Sequence, residues 1–390
     1  MSEIDPVELA RALIRHPSVT PADARALDAL EDAFAAIGFA CTRLRFEGDG
    51  EAPVDNLFAR FGEGRPHFCY AGHADTVPAG DEADWSAPPF EGIVRDGSLW
   101  GRGAADMKGA LAAFAAAAER AISAGAVKGS LSLLITGDEE GPAINGTRKM
   151  LAWLRDEGDT IDHCLVGEPT NPVAMGDMVK AGRRGSLNCW LTVEGRQGHV
   201  AYPDAAQNPI PALMRKLLVL SETPLDDGYA RFQPSSIQVT DIHIGNPAHN
   251  VIPARATARF NVRFNPNWNG ATLDAWLTDK LDALAEQLGV RYTLKTVLSG
   301  EAFLTTDDRF LNLVADAVKA RTGRTPEFST SGGTSDARFI KDYAPVVEFG
   351  LVSATIHQID EHAAVADIQA LADIYQGVLE RYFTAFGGAS

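Results

Sequence analysis

The chain has 390 residues, of which 45% are apolar and 22% are charged. Its 52 acidic and 35 basic side chains give a formal net charge of −17 at pH 7. This composition is typical of a globular protein, and the length predicts roughly two or three domains that each bury a core. The negative charge argues against nucleic acid or an anionic membrane surface as the main partner. An anionic substrate would therefore need a local pocket of Arg or Lys.

The cysteines and the N-terminal segment indicate the cellular compartment. The four cysteines, Cys41, Cys69, Cys164 and Cys189, stand far apart and form no CxxC pair, so we expect reduced thiols. The first residues contain no apolar run that could serve as a signal peptide, and no stretch approaches ~20 apolar residues. The sequence therefore predicts a cytoplasmic protein.

The first half of the chain alternates short apolar runs with helical patterns. Helices are predicted over residues 5–15, 21–37, 109–125 and 146–157, and strands over 67–72, 130–137 and 163–167. Strands and helices that alternate at this spacing predict βαβ units. The fold class is therefore α/β, with a mainly parallel sheet covered by helices.

The pattern changes near Val179. Strands at 182–195, 235–245, 256–265 and 290–297 are interrupted by helices at 209–222 and 272–289. This β-α-β-β-α-β order is that of a ferredoxin-like α+β domain. The first pattern then resumes with a helix at 307–322, an apolar run at 344–350 and a helix at 367–384. We therefore predict a discontinuous first domain, 1–179 and 298–390, with an inserted domain of residues 180–297.

Three predicted strands end in glycine, and a potential metal ligand follows each glycine at once. These ligands are His73, the pair Glu139 and Glu140 after Asp138, and Glu168. Ligands of open α/β sheets bind just beyond the carboxyl ends of the strands. One imidazole and several carboxylates in so small a volume would repel one another or take up protons unless cations balanced them.

Asp106 and His357 extend this set. Asp106 precedes the Ala-rich helix, and His357 follows a late apolar run; His362, five residues further on, could be mistaken for this ligand. A mixed N/O set without Cys suits Zn²⁺, Co²⁺ or Mn²⁺ in a hydrolytic site. Two such ions and a bridging hydroxide would balance three of the carboxylates and leave Glu139 free as a base. A single His or acidic residue is usually solvated, but their joint placement favours a metal site.

The segments around these residues resemble the M20 family of di-zinc amidohydrolases and peptidases. The matching segments are GHADTVPAGD (72–81), WGRGAADMKGA (100–110), TGDEEG (136–141), VGEPT (166–170), SGGTSDARFI (331–340) and TIHQIDE (355–361). They occur in family order over nearly the whole discontinuous domain. The resemblance implies that this domain is a di-zinc catalytic domain and that the inserted domain acts as a lid and in dimerisation.

The resemblance also implies the metal ligands. His73 and Glu168 would bind one zinc ion, Glu140 and His357 would bind the other, and Asp106 would bridge both. Zinc is therefore the expected metal, with Co²⁺ as an alternative.

Two further roles follow from the same resemblance. Asp75 would accept a hydrogen bond from His73 and fix the tautomer of its imidazole. Glu139 would be the general base that activates the metal-bridging water. The peptide bond after Asp106 is expected to be cis.

Within the family, the resemblance is strongest to members that hydrolyse N-succinyl-L,L-2,6-diaminopimelate to succinate and L,L-diaminopimelate in lysine biosynthesis. It rests on VKAGRRGSLN (179–188), GRQGHVAYPDAAQNPI (195–210), HNVIPARATARFNVRF (249–264) and SGGTSDARFI. It implies that Arg183 and Arg263 lie near the succinyl carboxylate, with Arg184 as the alternative to Arg183. A guanidinium matches a carboxylate in bidentate geometry.

The other implied substrate contacts are His199 and Asn250 of the inserted domain and Thr334 of the first domain. His199 would reach into the active site of a partner subunit and polarise the scissile carbonyl, so a homodimer is expected, and Asn250 is a further candidate for substrate binding. Thr334 would contact the diaminopimelate end. One departure concerns Ser353, which stands where an Asn is expected to touch substrate.

Two other functions remain open. Another amidohydrolase of the family, such as an N-acetylornithine deacetylase or an aminoacylase, would not need Arg183 and Arg263 because an acetyl group carries no carboxylate. The other possible function is that of a binding protein without catalytic activity, but the intact Glu139 and the complete ligand set argue against it.

Overall fold

A computed structural model describes residues 3–387, which form two compact units. The first unit takes in the described residues up to Gly182, Thr305–Ser329, and the described residues from Ser335 onward. The second unit consists of Arg183–Leu304 and Thr330–Thr334. The sequence places the two main boundaries after residues 179 and 297, and it assigns loop 330–334 to the first domain, whereas the structure groups this loop with the second unit.

The helices and strands follow one another in an order close to the predicted one. Those of the first half are α1 (Pro6–Ile14), α2 (Ala26–Ala36), β1 (Ala40–Gly48), β2 (Glu51–Gly62), β3 (His67–His73), β4 (Ile93–Arg95), β5 (Ser98–Trp100), α3 (Gly109–Ser123), β6 (Ser130–Thr136), α4 (Thr147–Asp156), β7 (His163–Val166), β8 (Met178–Lys180) and β9 (Gly182–Arg183). Those of the second half are β10 (Gly185–Glu194), β11 (Gly198–His199), α5 (Pro209–Glu222), β12 (Ser236–His243), β13 (Val251–Ile252), β14 (Arg255–Phe264), α6 (Gly270–Leu288), β15 (Arg291–Gly300), β16 (Phe303–Leu304), α7 (Asp308–Thr322), β17 (Glu327–Ser329), α8 (Ala337–Ile340), β18 (Val346–Glu348), β19 (His362–Ala364) and α9 (Val365–Phe386).

The first unit is built around an eight-stranded sheet in the order β1-β2-β6-β3-β7-β18-β8-β17. Its centre is parallel, since β6, β3, β7 and β18 pair with one another in parallel register. Strands β1 and β2 extend it as an antiparallel hairpin, and β8 runs antiparallel to β18. The predicted α/β class with a mainly parallel sheet is confirmed, and the antiparallel hairpin is an addition.

The central strands are buried along their whole length. Every residue of β3 and of β6 is buried, which agrees with the rule that parallel strands are covered on both faces. The Ala-rich helix α3 packs against α1 and α9, and its small side chains allow close approach. Because β6, β3 and β7 are adjacent and parallel, their carboxyl ends lie side by side.

The second unit has the predicted ferredoxin-like arrangement. Its sheet has the order β12-β14-β10-β15, and all neighbouring strands are antiparallel. Helices α5 and α6 pack on this sheet around a core that includes Leu191, Leu213, Phe260 and Leu277. A short ribbon of β11 and β13 stands apart from the main sheet.

All four cysteines are free thiols, and Cys69, Cys164 and Cys189 are buried. Burial raises the pKa of the Cys164 thiol, and it raises the pKa of Cys189 to about 12. Such thiols stay protonated and unreactive at neutral pH.

Membrane insertion through a helix has no support in the described part of the chain. Within residues 3–387, no helix is both long enough and apolar enough to span a bilayer.

The loop before β12 depends on Asp226. Its carboxylate accepts hydrogen bonds from the backbone N–H of Gly228 (2.8 Å) and Ser235 (3.2 Å), from Asn265 Nδ2 (2.6 Å) and from Trp268 Nε1 (3.0 Å). Burial opposes the charged form, but the hydrogen bonds from Ser235, Asn265 and Gly228 prevail and lower the pKa of Asp226. Because the pKa of Asp226 is lower in the folded than in the unfolded state, its carboxylate stabilises the fold at pH values above the unfolded-state pKa. This stabilisation is lost as the pH falls through the folded-state pKa.

We predict that Asp226→Asn lowers the free energy of unfolding by about 1–3 kcal/mol at pH 7, because an amide offers one acceptor oxygen to four donors. The difference from wild type should shrink as the pH falls below about 4. Circular dichroism during thermal unfolding at pH 7 and pH 3.5 measures both effects. Asp227→Asn, at the exposed neighbouring position, is the control. Equal unfolding temperatures for both variants at pH 7 would contradict the prediction.

Candidate metal and catalytic site

The carboxyl ends of β6, β3 and β7 bring the predicted site residues of the first unit together. His73 ends β3 opposite Thr136 of β6, after which the chain turns into Glu139 and Glu140. Glu168 follows β7, which pairs with β3 on its other side. The polar cluster that the sequence places at this edge is therefore present.

The glycines that precede these ligands make room for the residue after Asp106. A Cβ atom at Gly72 would lie 2.4 Å from Met107 Cε, and one at Gly167 would lie 2.7 Å from the same atom. Glycine at both positions lets the buried Met107 side chain sit across the two strand ends. The Asp106–Met107 peptide bond is cis, as expected.

Asp106 lies between the two histidines. Its Oδ1 is 3.1 Å from His73 Nε2, and its Oδ2 is 3.4 Å from His357 Nε2. His73 Nε2 is also 3.7 Å from Glu168 Oε1. On the other side, His357 Nε2 is 2.9 Å from Glu140 Oε1. The five residues thus form two imidazole–carboxylate groups that share Asp106.

The cluster is largely shielded from water. His73 is fully buried, Asp106 and Glu168 are 7% and 9% exposed, and the side chain of His357 is 47% exposed. Among residues 3–387, two groups of three side chains have ligand atoms close enough for one ion, namely His73, Asp106 and Glu140, and His73, Glu139 and Glu168.

The charges of this cluster shift several pKa values. Burial opposes the cationic form of His73, but the hydrogen bond to Asp106 and the charge of Glu168 raise its pKa well above the usual value. Hydrogen bonds to Asp106 and Glu140 raise the pKa of His357 to about 10. Burial, with Glu168 and Asp336 nearby, raises the pKa of Glu139. The cluster thus demands positive charge, and its nitrogen and oxygen donors fit divalent cations such as Zn²⁺.

Asp75 contacts His73 in a different way from the expected one. The backbone carbonyl of Asp75, 3.0 Å away, accepts the hydrogen bond from His73 Nδ1, and the nearest carboxylate oxygen is 3.6 Å away. The carboxylate instead accepts the backbone N–H groups of Glu139 (3.3 Å) and Glu140 (3.1 Å). Asp75 therefore directs Nε2 of His73 toward the cluster through its backbone, and its side chain holds the loop that carries the two glutamates.

His357, and not His362, belongs to the cluster. His362 stacks on Trp100 with ring centroids 4.5 Å apart, and its Nδ1 lies 2.8 Å from the carbonyl oxygen of Asp360. The pairing of β19 with β5 holds His362 in this position, opposite Trp100. The structure thus places His357, the predicted ligand, beside Asp106 and Glu140, and His362 beside Trp100.

Two charged residues beside the cluster were not among the site residues predicted from the sequence. Arg338 Nη1 lies 4.0 Å from Glu139 Oε1, and its side chain is 10% exposed. Glu361 is fully buried and contacts the loop that carries Asp106. Both stand in segments that resemble the family, but nothing in their spacing separates them from solvated charges.

The predicted substrate contacts all belong to the second unit. His199 and Asn250 are exposed neighbours on the β11–β13 ribbon, where the N–H of Val200 donates to the carbonyl of Asn250 (3.0 Å). His199 Nδ1 accepts the N–H of Ala201 (3.1 Å), which leaves Nε2 as the outward nitrogen. The ribbon can therefore present an imidazole donor to a ligand.

The arginines of the second unit differ in their contacts. Arg183 Nη1 donates to the carbonyl of Gly333 (3.2 Å), beside Thr334. Within residues 3–387, the buried atoms Arg263 Nη1 and Arg184 Nε have no hydrogen-bond partner. Burial and the charge of Arg184 lower the pKa of Arg263. Arg184 and Arg263 thus form a cationic pair suited to an anion, while Arg183 holds the loop of Thr334.

Comparisons with known proteins find a matching family model and similar sequences. Residues 69–381 match the family described as peptidase family M20/M25/M40. The succinyl-diaminopimelate desuccinylase of Parvibaculum lavamentivorans is 56% identical over 98% of this chain and 96% of its own length. That of Rhodospirillum centenum is 57% identical over 97% of both chains.

Solved structures of other proteins share the fold. The M20 family metallo-carboxypeptidase Sso-CP2 of Sulfolobus solfataricus has a TM-score of 0.80 at 15% identity, over 98% of this chain and 99% of its own. A tripeptidase (SAV1512) of Staphylococcus aureus has a TM-score of 0.79 at 18% identity, over 97% and 99%.

We predict that Asp75→Asn loosens the loop of Glu139 and Glu140, because the amide side chain has one acceptor oxygen for two N–H groups. Hydrogen exchange of the segment 138–141 should accelerate about 10-fold, which corresponds to about 1.4 kcal/mol, the usual size of such a hydrogen bond. Asp84→Asn, at an exposed position outside this network, is the control. Wild-type exchange of 138–141 in folded Asp75→Asn would contradict the assigned role.

Proposed function

Because the chain belongs to the M20/M25/M40 peptidase family, we propose that it hydrolyses the amide bond of N-succinyl-L,L-2,6-diaminopimelate to succinate and L,L-diaminopimelate, a step of lysine biosynthesis. The observation that carries the proposal is the arrangement of two imidazoles and two further carboxylates around Asp106. The activity named for relatives more than half identical to this chain defines the substrate.

Two zinc ions are proposed for this site, with Co²⁺ as an alternative. His73 and Glu168 would hold one ion, and Glu140 and His357 the other. Asp106 suits a position between them because its two oxygens face different histidines. When bound, such ions supply Lewis-acid activation of water and of the substrate carbonyl.

Glu139 is proposed as the general base and acid. Its carboxylate would take a proton from the attacking water and then deliver it to the amide nitrogen as the C–N bond breaks. The backbone of Glu139 is held by Asp75, and the guanidinium of Arg338 faces its carboxylate. These contacts keep the carboxylate oriented while the proton moves.

The second unit is proposed to recognise the substrate. Arg263, together with Arg183 or Arg184, would bind the succinyl carboxylate in a bidentate manner. The unpartnered Arg184 and Arg263 atoms favour Arg184 for direct contact, with Arg183 orienting the loop of Thr334. Asn250 and His199 would donate to the scissile carbonyl oxygen as negative charge develops on it, and Thr334 would contact the diaminopimelate end.

A homodimer formed through the second unit is also proposed, with the unit acting as a lid. Strand β12 is an outer strand of its sheet, so one edge lacks a strand partner among the described residues. Val239 and Ile242 of this strand are exposed, as are Met214 and Leu218 of α5. A second copy would cover these apolar side chains. The protein is proposed to be cytoplasmic, with neither nucleic acid nor a membrane as a partner.

The alternative of an acetyl-specific amidohydrolase is less well supported. An acetyl group would leave the partly buried guanidinium pair of Arg184 and Arg263 without an anion, which is unfavourable for charges removed from water. The succinyl group supplies the missing carboxylate.

We predict that Glu139→Gln retains two zinc ions per chain but loses turnover by about three orders of magnitude or more, because proton transfer is removed while the ligands remain. Glu140→Gln should instead lose metal. Elemental analysis and hydrolysis of N-succinyl-L,L-diaminopimelate measure both quantities. Loss of metal from Glu139→Gln would show that Glu139 is a ligand and that the roles of the two glutamates are wrongly divided.

We predict that Arg263→Met raises KM for N-succinyl-L,L-diaminopimelate by about 10- to 100-fold, the value of one charge-assisted hydrogen bond. Slow hydrolysis of the N-acetyl analogue should be unchanged. Arg183→Met and Arg184→Met, assayed in parallel, identify the second arginine by the larger rise in KM. An equal loss on both acyl groups in Arg263→Met would contradict the assigned contact.

A further inference from the structure

Glu361 joins the loop of Asp106 to the loop of His357. It lies four residues after His357, and its side chain is fully buried. We propose that Glu361 is a positioning residue that fixes Asp106 and His357 relative to each other. This proposal rests on the metal ligands assigned in the proposed function.

The carboxylate of Glu361 is saturated by four donors from one short segment. Its Oε1 accepts the backbone N–H groups of Ala105 (3.0 Å) and Asp106 (3.2 Å). Its Oε2 accepts the N–H of Gly103 (3.1 Å) and Nη1 of Arg102 (2.8 Å). These bonds fix the backbone of the segment that ends in Asp106.

The backbone of Glu361 reinforces this connection. Its carbonyl accepts the N–H of Gly101 at 2.9 Å. The loop that contains His357 is closed by Thr355, whose hydroxyl donates to the carbonyl of His362 (2.8 Å) and accepts its N–H (3.2 Å). The His357 loop is therefore closed at its ends and anchored to the Asp106 segment, so the two ligands are held as one body.

A carboxylate is required at this position. Glutamine would place an NH₂ group against one pair of donors, and aspartate would fall one methylene short of the segment. Arg102 balances the buried charge of Glu361 through their ion pair at 2.8 Å. The Arg102 side chain is itself only 3% exposed, and its guanidinium lies 5.1 Å from the Trp85 ring. The charge and the length of the Glu361 side chain thus fit the hydrogen-bond donors of the segment that carries Asp106.

The test compares Glu361→Gln and Glu361→Asp with Glu348→Gln. Glu348 is also buried, but its carboxylate accepts a hydrogen bond from the hydroxyl of Ser335 (2.7 Å), outside the Asp106 segment. Titration of the metal-free full chain with Co²⁺ gives affinity and the visible absorption spectrum of the bound ions. Thermal unfolding of the same samples measures any general loss of stability.

Both Glu361 variants should bind Co²⁺ about 10- to 100-fold more weakly, with an altered spectrum, as is typical when a residue that orients a metal ligand is changed. In zinc-loaded protein kcat should fall with KM unchanged, because the substrate contacts remain. Glu348→Gln should keep wild-type Co²⁺ affinity even if it unfolds at a lower temperature. If Glu361→Gln does not fold, Glu361→Asp provides the same comparison.

Wild-type Co²⁺ affinity and spectrum in a folded Glu361 variant would overturn the positioning role alone. An equal loss of affinity in Glu348→Gln would also overturn it, because the effect would then follow general destabilisation. Wild-type protein that takes up no Co²⁺ would contradict the proposed metal site and the inference together.

Discussion

Negative charge packed at the carboxyl edge of one buried sheet is the constraint on which the first unit depends. Asp106, Glu140 and Glu168 lie around His73 with little access to water, and such carboxylates are costly unless positive charge or protons balance them. The raised pKa values of His73, His357 and Glu139 express this demand. The divalent cations proposed for this site would satisfy it with the donor atoms already present.

Surrounding contacts orient this cluster mainly through the backbone. Asp75 holds the N–H groups of Glu139 and Glu140, and Glu361 holds those of the Asp106 segment. Each carboxylate thereby fixes a loop whose own side chains are left to face the centre. Charge also bears on the second unit, where Arg184 and Arg263 are proposed to provide the local cationic pocket that an anionic substrate would need in a protein of net charge −17.

The gathering of the proposed metal ligands could be predicted because they lie at strand ends, at a helix start or after an apolar run, and parallel strands bring such positions together. The hydrogen bond from His73 to the backbone carbonyl of Asp75 could not be predicted, since spacing alone does not show which oxygen atom of Asp75 accepts it. Glu361 was missed because its partners are N–H groups some 250 positions away in the chain. The β1–β2 hairpin was missed because its exposed residues hide the apolar pattern.

The central claim is that two ions share Asp106 at this edge of the sheet. Anomalous diffraction at the zinc absorption edge, from crystals of zinc-loaded protein, tests it most directly. Two peaks are expected, one bounded by His73 and Glu168, the other by Glu140 and His357, with Asp106 between them. A single peak, or peaks that do not contact Asp106, would contradict the account.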